Sequence, residues 1–497
     1  MFVSTKERVE YKMIVNKNIF RTYDIRGIVP DELDTKTANL VGKAFATQMK
    51  NAGETKIIVG HDNRITSDEL SNALIDGIIS TGMNVVSIGT CVTPMTYFAR
   101  EYLKIKPSIM VTASHNPKEY NGFKICGLGT DTIFGDEIQA LREFIEKGEF
   151  AVSENKGEVE EKSLKEEYIS DIVNKVKLGD RKLKVAIDCG SGAGSYFAEE
   201  LFKRLGVEVL PVCCEPDGNF PIHHPDPSQE KNMLEFEKFI VENKCDIGLA
   251  FDGDADRVIA FDENGKIYYG DEYAVIIWRD LMPKHPNSEA ILDVKCSQSL
   301  YEEIERLGGK PRFCKVGSSL IKAEIRKNNI LFTSEYAGHV YFNDEYYGYD
   351  DAMYAGARLL KILSGTDKNM SELSAGAMKY HGTPEIIRKV TDESKFEVVE
   401  MVKKKYLERG LKVIDIDGAR VIFKDGWGLI RASNTGPNLT IKAEATTDAR
   451  CKEIIDEIEE YVKECFEKVT NKNSESNDES FVEKLKEKFD SFFNKKK

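Results

Sequence analysis

Three short polar stretches of this 497-residue sequence combine residue types that can handle a charged substrate. The first is TASHNP, residues 112–117, directly after the apolar run 108–111. A serine on a tight polar turn at a strand's end stands at the carboxyl edge of a sheet, where α/β proteins place their chemistry. His115, beside Ser114, can hydrogen-bond a phosphoryl oxygen, while Asn116 and Pro117 set the turn. The same letters also suit an ordinary strand-to-loop turn. The surroundings lack the GxSxG elbow of hydrolases, which disfavours acyl transfer.

The second stretch is DGDADR, residues 252–257, between the apolar runs 247–251 and 258–261. Carboxylates at alternate positions repel one another, a cost that a cation among them removes. Hard oxygen donors suit Mg²⁺, which keeps open positions for water or a phosphate oxygen. Asp252, Asp254, Asp256 and Glu263 also fit four ligand positions of an EF-hand loop. Arg257 stands where that loop needs glycine, and the flanking runs are strand-like, so the EF-hand reading fails. Arg257 is placed to bind a phosphoryl group whose other oxygens face the cation. A solvated acidic turn between strands is the plainer alternative.

The third stretch is RASNTG, residues 431–436, after the run WGLI. A guanidinium, two hydroxyls, an amide and a glycine turn form a cradle for a phosphate that is not transferred. A polar hairpin would read the same way. GSGAG, residues 190–194, invites a dinucleotide reading, but Ser195 breaks the GxGxxG spacing. It is read as a tight strand-to-helix turn.

The elements that must carry these stretches recur. An apolar strand, an amphipathic helix, a glycine turn and a second strand follow one another at residues 56–88, 184–210 and 290–316. Such alternation predicts βαβ units and mostly parallel sheets. The fold class expected is α/β: three related mixed or parallel-sheet domains in series, then a smaller C-terminal α+β domain. The charged stretch 153–165, the region after Phe261 and residues near 364–369 read as breaks. The expected domains are 1–163 with the serine loop, 164–266 with the acidic loop, 267–380, and 381–470 with the phosphate cradle. Residues 471–497 read as a polar linker and an amphipathic tail, with Phe481, Leu485, Phe489 and Phe492 or Phe493 on one face.

Composition narrows the function. Charged residues make up 31% of the chain and the formal net charge is -14. That argues against a general nucleic-acid binder, which carries a basic surface. Ten cysteines without a CxxC pair read as free thiols in a reducing compartment. No apolar run has the length of a signal-peptide core or a membrane span. A cytoplasmic protein without transmembrane segments is expected. The tail suits docking on its own body, or a partner or membrane surface.

Taken together, the motifs resemble the α-D-phosphohexomutase superfamily, most closely its bacterial phosphomannomutase/phosphoglucomutase branch. The resemblance runs from about Phe20 to Val469. It rests on FRTYDIRG (20–27), TASHNP, YNGFK (120–124), DGNFP (217–221), HHPDP (223–227), DGDADR, DVKC (293–296), EYAGH (335–339), YDD (349–351) and RASNTG, in the family's order. It implies four domains around a central cleft and a phosphorylated Ser114. It implies Mg²⁺ held by Asp252, Asp254, Asp256 and a phosphoserine oxygen, with Arg257 assisting transfer. Lys124 and His339 match the family's proton-transfer groups. Glu335 and Lys295 would face the sugar. Arg431, Ser433, Asn434 and Thr435 would hold the distal phosphate, and Tyr23 and Arg26 would line the cleft. The reaction implied interconverts hexose 1-phosphate and hexose 6-phosphate, of mannose or glucose, through a hexose 1,6-bisphosphate that also serves as activator. The chain is expected to act as a monomer.

The sequence departs from the family at the sugar loop, with Ser334 for a usual Gly and Ala337 for a usual Ser. Ser318 stands where this branch often has His. These changes leave the sugar preference open. Mannose and glucose phosphates are both expected as substrates, because Glu335 can reach the equatorial 3- and 4-hydroxyls they share. The alternatives are a phosphoglucosamine mutase, a phosphoserine-cycling phosphatase and a non-catalytic phosphosugar-binding homologue.

Overall fold

A computed structural model describes residues 15–129, 132–377, 379–392, 394–433 and 436–474. The chain forms two compact units. One comprises the described residues up to Lys266 together with Tyr349–Gly365; the other comprises Ile267–Gly348 and the described residues from Thr366.

The first unit holds two sheets. The first sheet runs in the order Ile25–Ile28, Tyr120–Cys126, Ser108–Val111, Lys56–His61, Asn84–Thr90 and Val159–Glu161. The last four strands are parallel, and Tyr120–Cys126 is antiparallel to both its neighbours. The helices Thr35–Asn51 and Ser67–Ser80 cover this sheet, burying Val41, Phe45, Leu70 and Leu74 against Ile57, Val59 and Ile109. Each such side chain contributes roughly 1.5–3 kcal/mol of burial free energy. Asp34 caps the first helix by accepting from the Thr37 N–H at 2.8 Å.

In the second sheet, Lys184–Asp188 pairs in parallel with Glu208–Val212 and Ile247–Phe251, and Val258–Phe261 returns antiparallel. The charged stretch 153–165 is therefore more than a break. It contains the edge strand Val159–Glu161, whose side chains are all exposed. The helix Ala352–Ser364, within the expected third domain 267–380, packs in the first compact unit, on Val258–Phe261 and Ala198–Leu205.

The second unit opens with an α/β layer, the parallel pair Glu289–Asp293 and Lys310–Cys314. Phe332–Ser334 and Val340–Phe342 form an antiparallel pair beside it. An antiparallel sheet follows, in the order His381–Gly382, Asn438–Ala445, Gly426–Ala432, Ala419–Phe423 and Lys412–Ile414. Helices Lys395–Glu408 and Asp448–Ser474 bury Val402, Tyr406, Ile454 and Ile458 against Val421, Ile430 and Ile441. The expected α/β folds followed by a smaller α+β fold are thus present. The last helix runs through Ser474, so the linker expected at 471 starts inside it. The amphipathic face at 481–493 lies outside the described residues. Among the described residues, no helix is long and apolar enough to cross a membrane. All ten cysteines are free thiols.

Candidate active site

Ser114 follows the strand Ser108–Val111 and is buried, with a left-handed φ of 49°. Such a backbone is costly for a residue with a Cβ and is kept where surroundings enforce it. Those surroundings are identifiable. The Ser114 N–H donates to Thr112 Oγ1 at 2.9 Å, and Thr112 Oγ1 donates to Asp62 Oδ2 at 2.7 Å. Arg64 donates to the Ser114 and Asn116 carbonyls at 2.6 and 2.7 Å, and to those of Pro117 and Tyr120 at 2.8 and 3.2 Å. Its Nε lies 3.2 Å from Asp62 Oδ2. The loop is laced from behind by one guanidinium.

The acidic loop meets the serine directly. Ser114 Oγ donates to Asp252 Oδ2 at 2.8 Å and stands 3.2 Å from His115 Nδ1. Residue 253 must be glycine for the two loops to touch, because a Cβ there would lie 2.5 Å from the Ser114 carbonyl oxygen. Asp252, Asp254 and Asp256 are buried, and one oxygen from each falls within 4.8 Å of the others. Burial, together with Asp254 and Asp256, pushes the Asp252 carboxyl well above the usual carboxylate range.

Lys124, on the strand Tyr120–Cys126, donates to Asp254 Oδ2 at 2.7 Å and also to Asp256. Burial opposes its charge, but the two carboxylates outweigh burial and raise its proton affinity above that of an ordinary lysine. Thr93 Oγ1 donates to the same Asp254 oxygen at 2.5 Å. The other oxygen, Asp254 Oδ1, is buried with no hydrogen-bond partner among the described residues. Three clustered, buried carboxylates, one of whose oxygens lacks a hydrogen-bond partner among the described residues, fit a hard divalent cation. Arg257 Nε is 4.0 Å from Asp252 Oδ2, and Arg26 donates to Asn116 Oδ1 at 2.9 Å. Tyr23 lies half-buried on the same segment as Arg26.

A cation at a hundred times its dissociation constant adds about 2.7 kcal/mol to stability. Mg²⁺ is expected to raise the Tm of the wild type, and Asp254→Asn to lose most of that rise. Equal shifts in both proteins would place the cation elsewhere.

The second unit gathers a different set. His339 Nδ1 is 2.6 Å from Glu335 Oε2, and Tyr341 OH donates to the same oxygen at 3.2 Å. Glu335 Oε1 accepts from the Gly317 N–H at 3.0 Å. The carboxylate therefore orients His339 and anchors the glycine turn. Lys295 Nζ pairs with Glu385 at 2.8 Å, and its N–H donates to Asp293 Oδ1 at 2.6 Å. Burial lowers the Lys295 proton affinity, but Glu385 and Asp293 outweigh it and leave it raised. Arg431, at the end of Gly426–Ala432, is held by Asp417 at 3.2 Å, and Asp417 also accepts from the Val316 N–H at 3.0 Å. Ser433 follows it; Asn434 and Thr435 lie outside the described residues.

The sequence reading thus identifies residues that the fold collects into two groups. Ser114, His115, Lys124, Arg257, Arg26 and the three aspartates form one, in the first unit. Lys295, Glu335, His339 and Arg431 belong to the other. Sequence reasoning did not find Asp62, Arg64 and Thr93 in the first group, nor Glu385, Asp417 and Arg420 in the second, and it named Asp293 only as part of a motif, without a role. Arg420 is fully buried between Phe313 and Trp427 and donates to the Val294 and Cys296 carbonyls at 2.8 and 2.7 Å. Burial lowers its proton affinity to about 10, so it remains a cation at neutral pH and fixes the Lys295 loop. The available signal was GHDNR at 60–64, polar residues at the end of an apolar strand beside the serine strand.

Comparison with known proteins matches four family models along the chain. They are described as phosphoglucomutase/phosphomannomutase α/β/α domain I at residues 17–152, domain II at 166–265, domain III at 269–380 and the C-terminal domain at 385–461. A phosphomannomutase/phosphoglucomutase of Pseudomonas putida is 41% identical over 439 residues, covering 88% of this chain and 94% of that one. A phosphoglucomutase of Neisseria meningitidis is 40% identical over 442 residues, covering 88% and 95%. The crystal structure of a phosphoglucomutase/phosphomannomutase family protein from Burkholderia thailandensis superposes with a TM-score of 0.83 at 35% identity, covering 91% and 98%.

Proposed function

The chain belongs to the phosphoglucomutase/phosphomannomutase family, and on that premise we propose that it interconverts hexose 1-phosphate and hexose 6-phosphate with Ser114 as the phosphoryl carrier. The observation that carries the assignment is the contact of Ser114 Oγ with Asp252 at 2.8 Å, beside Asp254, Asp256 and Lys124. Phosphate monoester cleavage is among the slowest uncatalysed reactions, and accelerations up to ~10²¹-fold are known. Phosphoryl transfer is catalysed mainly by positioning and charge neutralisation, and this cluster is built for both.

In the forward half-reaction the phosphoryl group leaves the Ser114 oxygen for O6 of a hexose 1-phosphate. Ser114 becomes a free hydroxyl and the sugar a 1,6-bisphosphate. In the second half the bisphosphate presents its O1 phosphoryl group to Ser114, which recovers it, and hexose 6-phosphate departs. Lys124 and Arg257 neutralise the oxygens in transfer, and Lys124 and His339 move the hydroxyl protons, a role worth about 10²–10⁴-fold. Mg²⁺ held by Asp252, Asp254 and Asp256 would neutralise charge building on the phosphoryl oxygens. Arg431, Ser433, Asn434 and Thr435 bind the phosphate that is not transferred, and Glu335 and Lys295 the sugar. The working segments are 1–163, 164–266, 267–380 and 381–470.

Ala337 offers no side-chain hydroxyl, so recognition of the sugar falls to Glu335. Mannose and glucose phosphates are therefore expected to turn over together. The test supplies Mg²⁺, a trace of hexose 1,6-bisphosphate and, separately, mannose, glucose and glucosamine 1-phosphates, and identifies each product. Turnover of glucosamine phosphate alone would overturn the sugar assignment. Phosphate release in excess of isomer would overturn the mutase reading.

A further inference from the structure

A second donor cluster lies at the carboxyl edge of the other sheet in the first unit. Asp188 ends the strand Lys184–Asp188, and its register partner Val212 ends the neighbouring strand, so Cys213 emerges beside it. His223 reaches the same place from the loop after Phe220. One donor atom each from Asp188, Cys213 and His223 lies within 4.8 Å of the others. The Asp188 side chain is 2% exposed and that of His223 15%.

The histidine's orientation is informative. His223 Nδ1 is 3.0 Å from the His224 carbonyl, which can only accept, so Nδ1 carries a proton. In the neutral ring Nε2 then has a lone pair, and it faces both Asp188 oxygens at 3.2 Å. A lone pair aimed at a carboxylate requires a positive occupant between them. A proton is one such occupant. A metal ion is the other, and a ring that donates Nδ1–H to a carbonyl is oriented as metal-bound imidazoles are. Cys213 adds a sulfur from a left-handed backbone position, φ 49°, the kind of strain that gathers at functional sites. Cys214 is engaged differently, donating to Val212 O at 3.2 Å with its sulfur 3.3 Å from that of Cys189.

We propose that Asp188, Cys213 and His223 form a binding site for a thiophilic divalent cation of the Zn²⁺ class, separate from the aspartate cluster. Thiolate and imidazole select such an ion, whereas three carboxylates select a hard one. The ion joins the ends of two strands at the base of the turn 189–194. That turn supports the acidic loop. The Ala193 N–H donates to the Gly253 carbonyl at 2.9 Å, and a Cβ on Gly192 would lie 2.6 Å from that oxygen. The site braces the loop from behind and takes no part in transfer.

The test titrates Co²⁺ into the full chain with Mg²⁺ saturating. The wild type is expected to develop a near-ultraviolet thiolate-to-cobalt absorption that saturates at one equivalent and is displaced by Zn²⁺. Cys213→Ser should lose it, His223→Gln should weaken binding at least about tenfold, and Cys214→Ser should retain it. Cys213→Asn serves as a second variant, because asparagine tolerates the left-handed backbone. An absorption that survives in a folded Cys213 variant, or none in the folded wild type, would overturn the proposal.

Discussion

Ser114→Ala is expected to lower mutase turnover by about 10⁴–10⁶-fold, the scale on which loss of a nucleophile acts. The variant keeps Lys124, Arg257 and the three aspartates, so what it loses is the proposed covalent carrier. The left-handed backbone at 114 is held by Arg64 and Thr112, contacts that alanine retains through its main chain. Loss of the Oγ donor to Asp252 leaves that carboxylate without one partner, a cost of about 1–3 kcal/mol. The variant should therefore be folded and inactive. Intact mass should show a phosphoryl increment on the wild type and none on Ser114→Ala. Turnover within a hundredfold of wild type, or an increment that survives the substitution, would move the carrier to another residue.

The parts of this site that were legible in the sequence are those whose chemistry is contiguous. Ser114 with His115, and Asp252 with Asp254, Asp256 and Arg257, each sit on a single loop, so residue type and spacing single them out, although the same letters alone also suit ordinary turns. Arg64 was not legible because its partners lie about fifty residues away, and only the strand order brings Lys56–His61 beside Ser108–Val111. Glu335 was legible as an acid near His339, but its hold on the Gly317 N–H depends on a turn eighteen residues earlier. In the fold, strands buried on both faces announced themselves as apolar runs. Val159–Glu161 did not, because a short edge strand with all side chains exposed has no alternation to read. Ala352–Ser364 lies within the expected third domain, 267–380, yet packs in the first unit. Its Gly356 and apolar neighbours pack on Phe202 and Leu249, and no local pattern encodes the choice between two cores.

Arg64 carries the second large expected effect. Its side chain is fully buried, its guanidinium stands 5.0 Å from the centre of the Phe220 ring, and it reaches Asp62 and four carbonyls of the serine loop. Burial lowers its proton affinity and Asp62 opposes that, so the charge and its partner depend on each other. Arg64→Ala removes the ion-pair partner of the buried Asp62, which keeps its hydrogen bonds from Thr112 and Ser67; breaking such a buried pair costs up to about 3–5 kcal/mol, and should appear as a drop in Tm. Arg64→Lys is the sharper experiment. Lysine keeps the charge but offers three donors from one point and cannot span carbonyls from Ser114 to Tyr120. A displacement of roughly 1 Å at the serine costs on the order of 10²-fold in rate. The loss should fall on kcat and leave KM nearly unchanged, because the groups assigned to the sugar and the distal phosphate, Glu335, Lys295 and Arg431, lie in the other unit. If kcat of a folded Arg64→Lys stayed within threefold of wild type, the serine loop would not depend on this guanidinium for its position. If KM rose while kcat held, Arg64 would act in substrate binding instead of positioning the nucleophile.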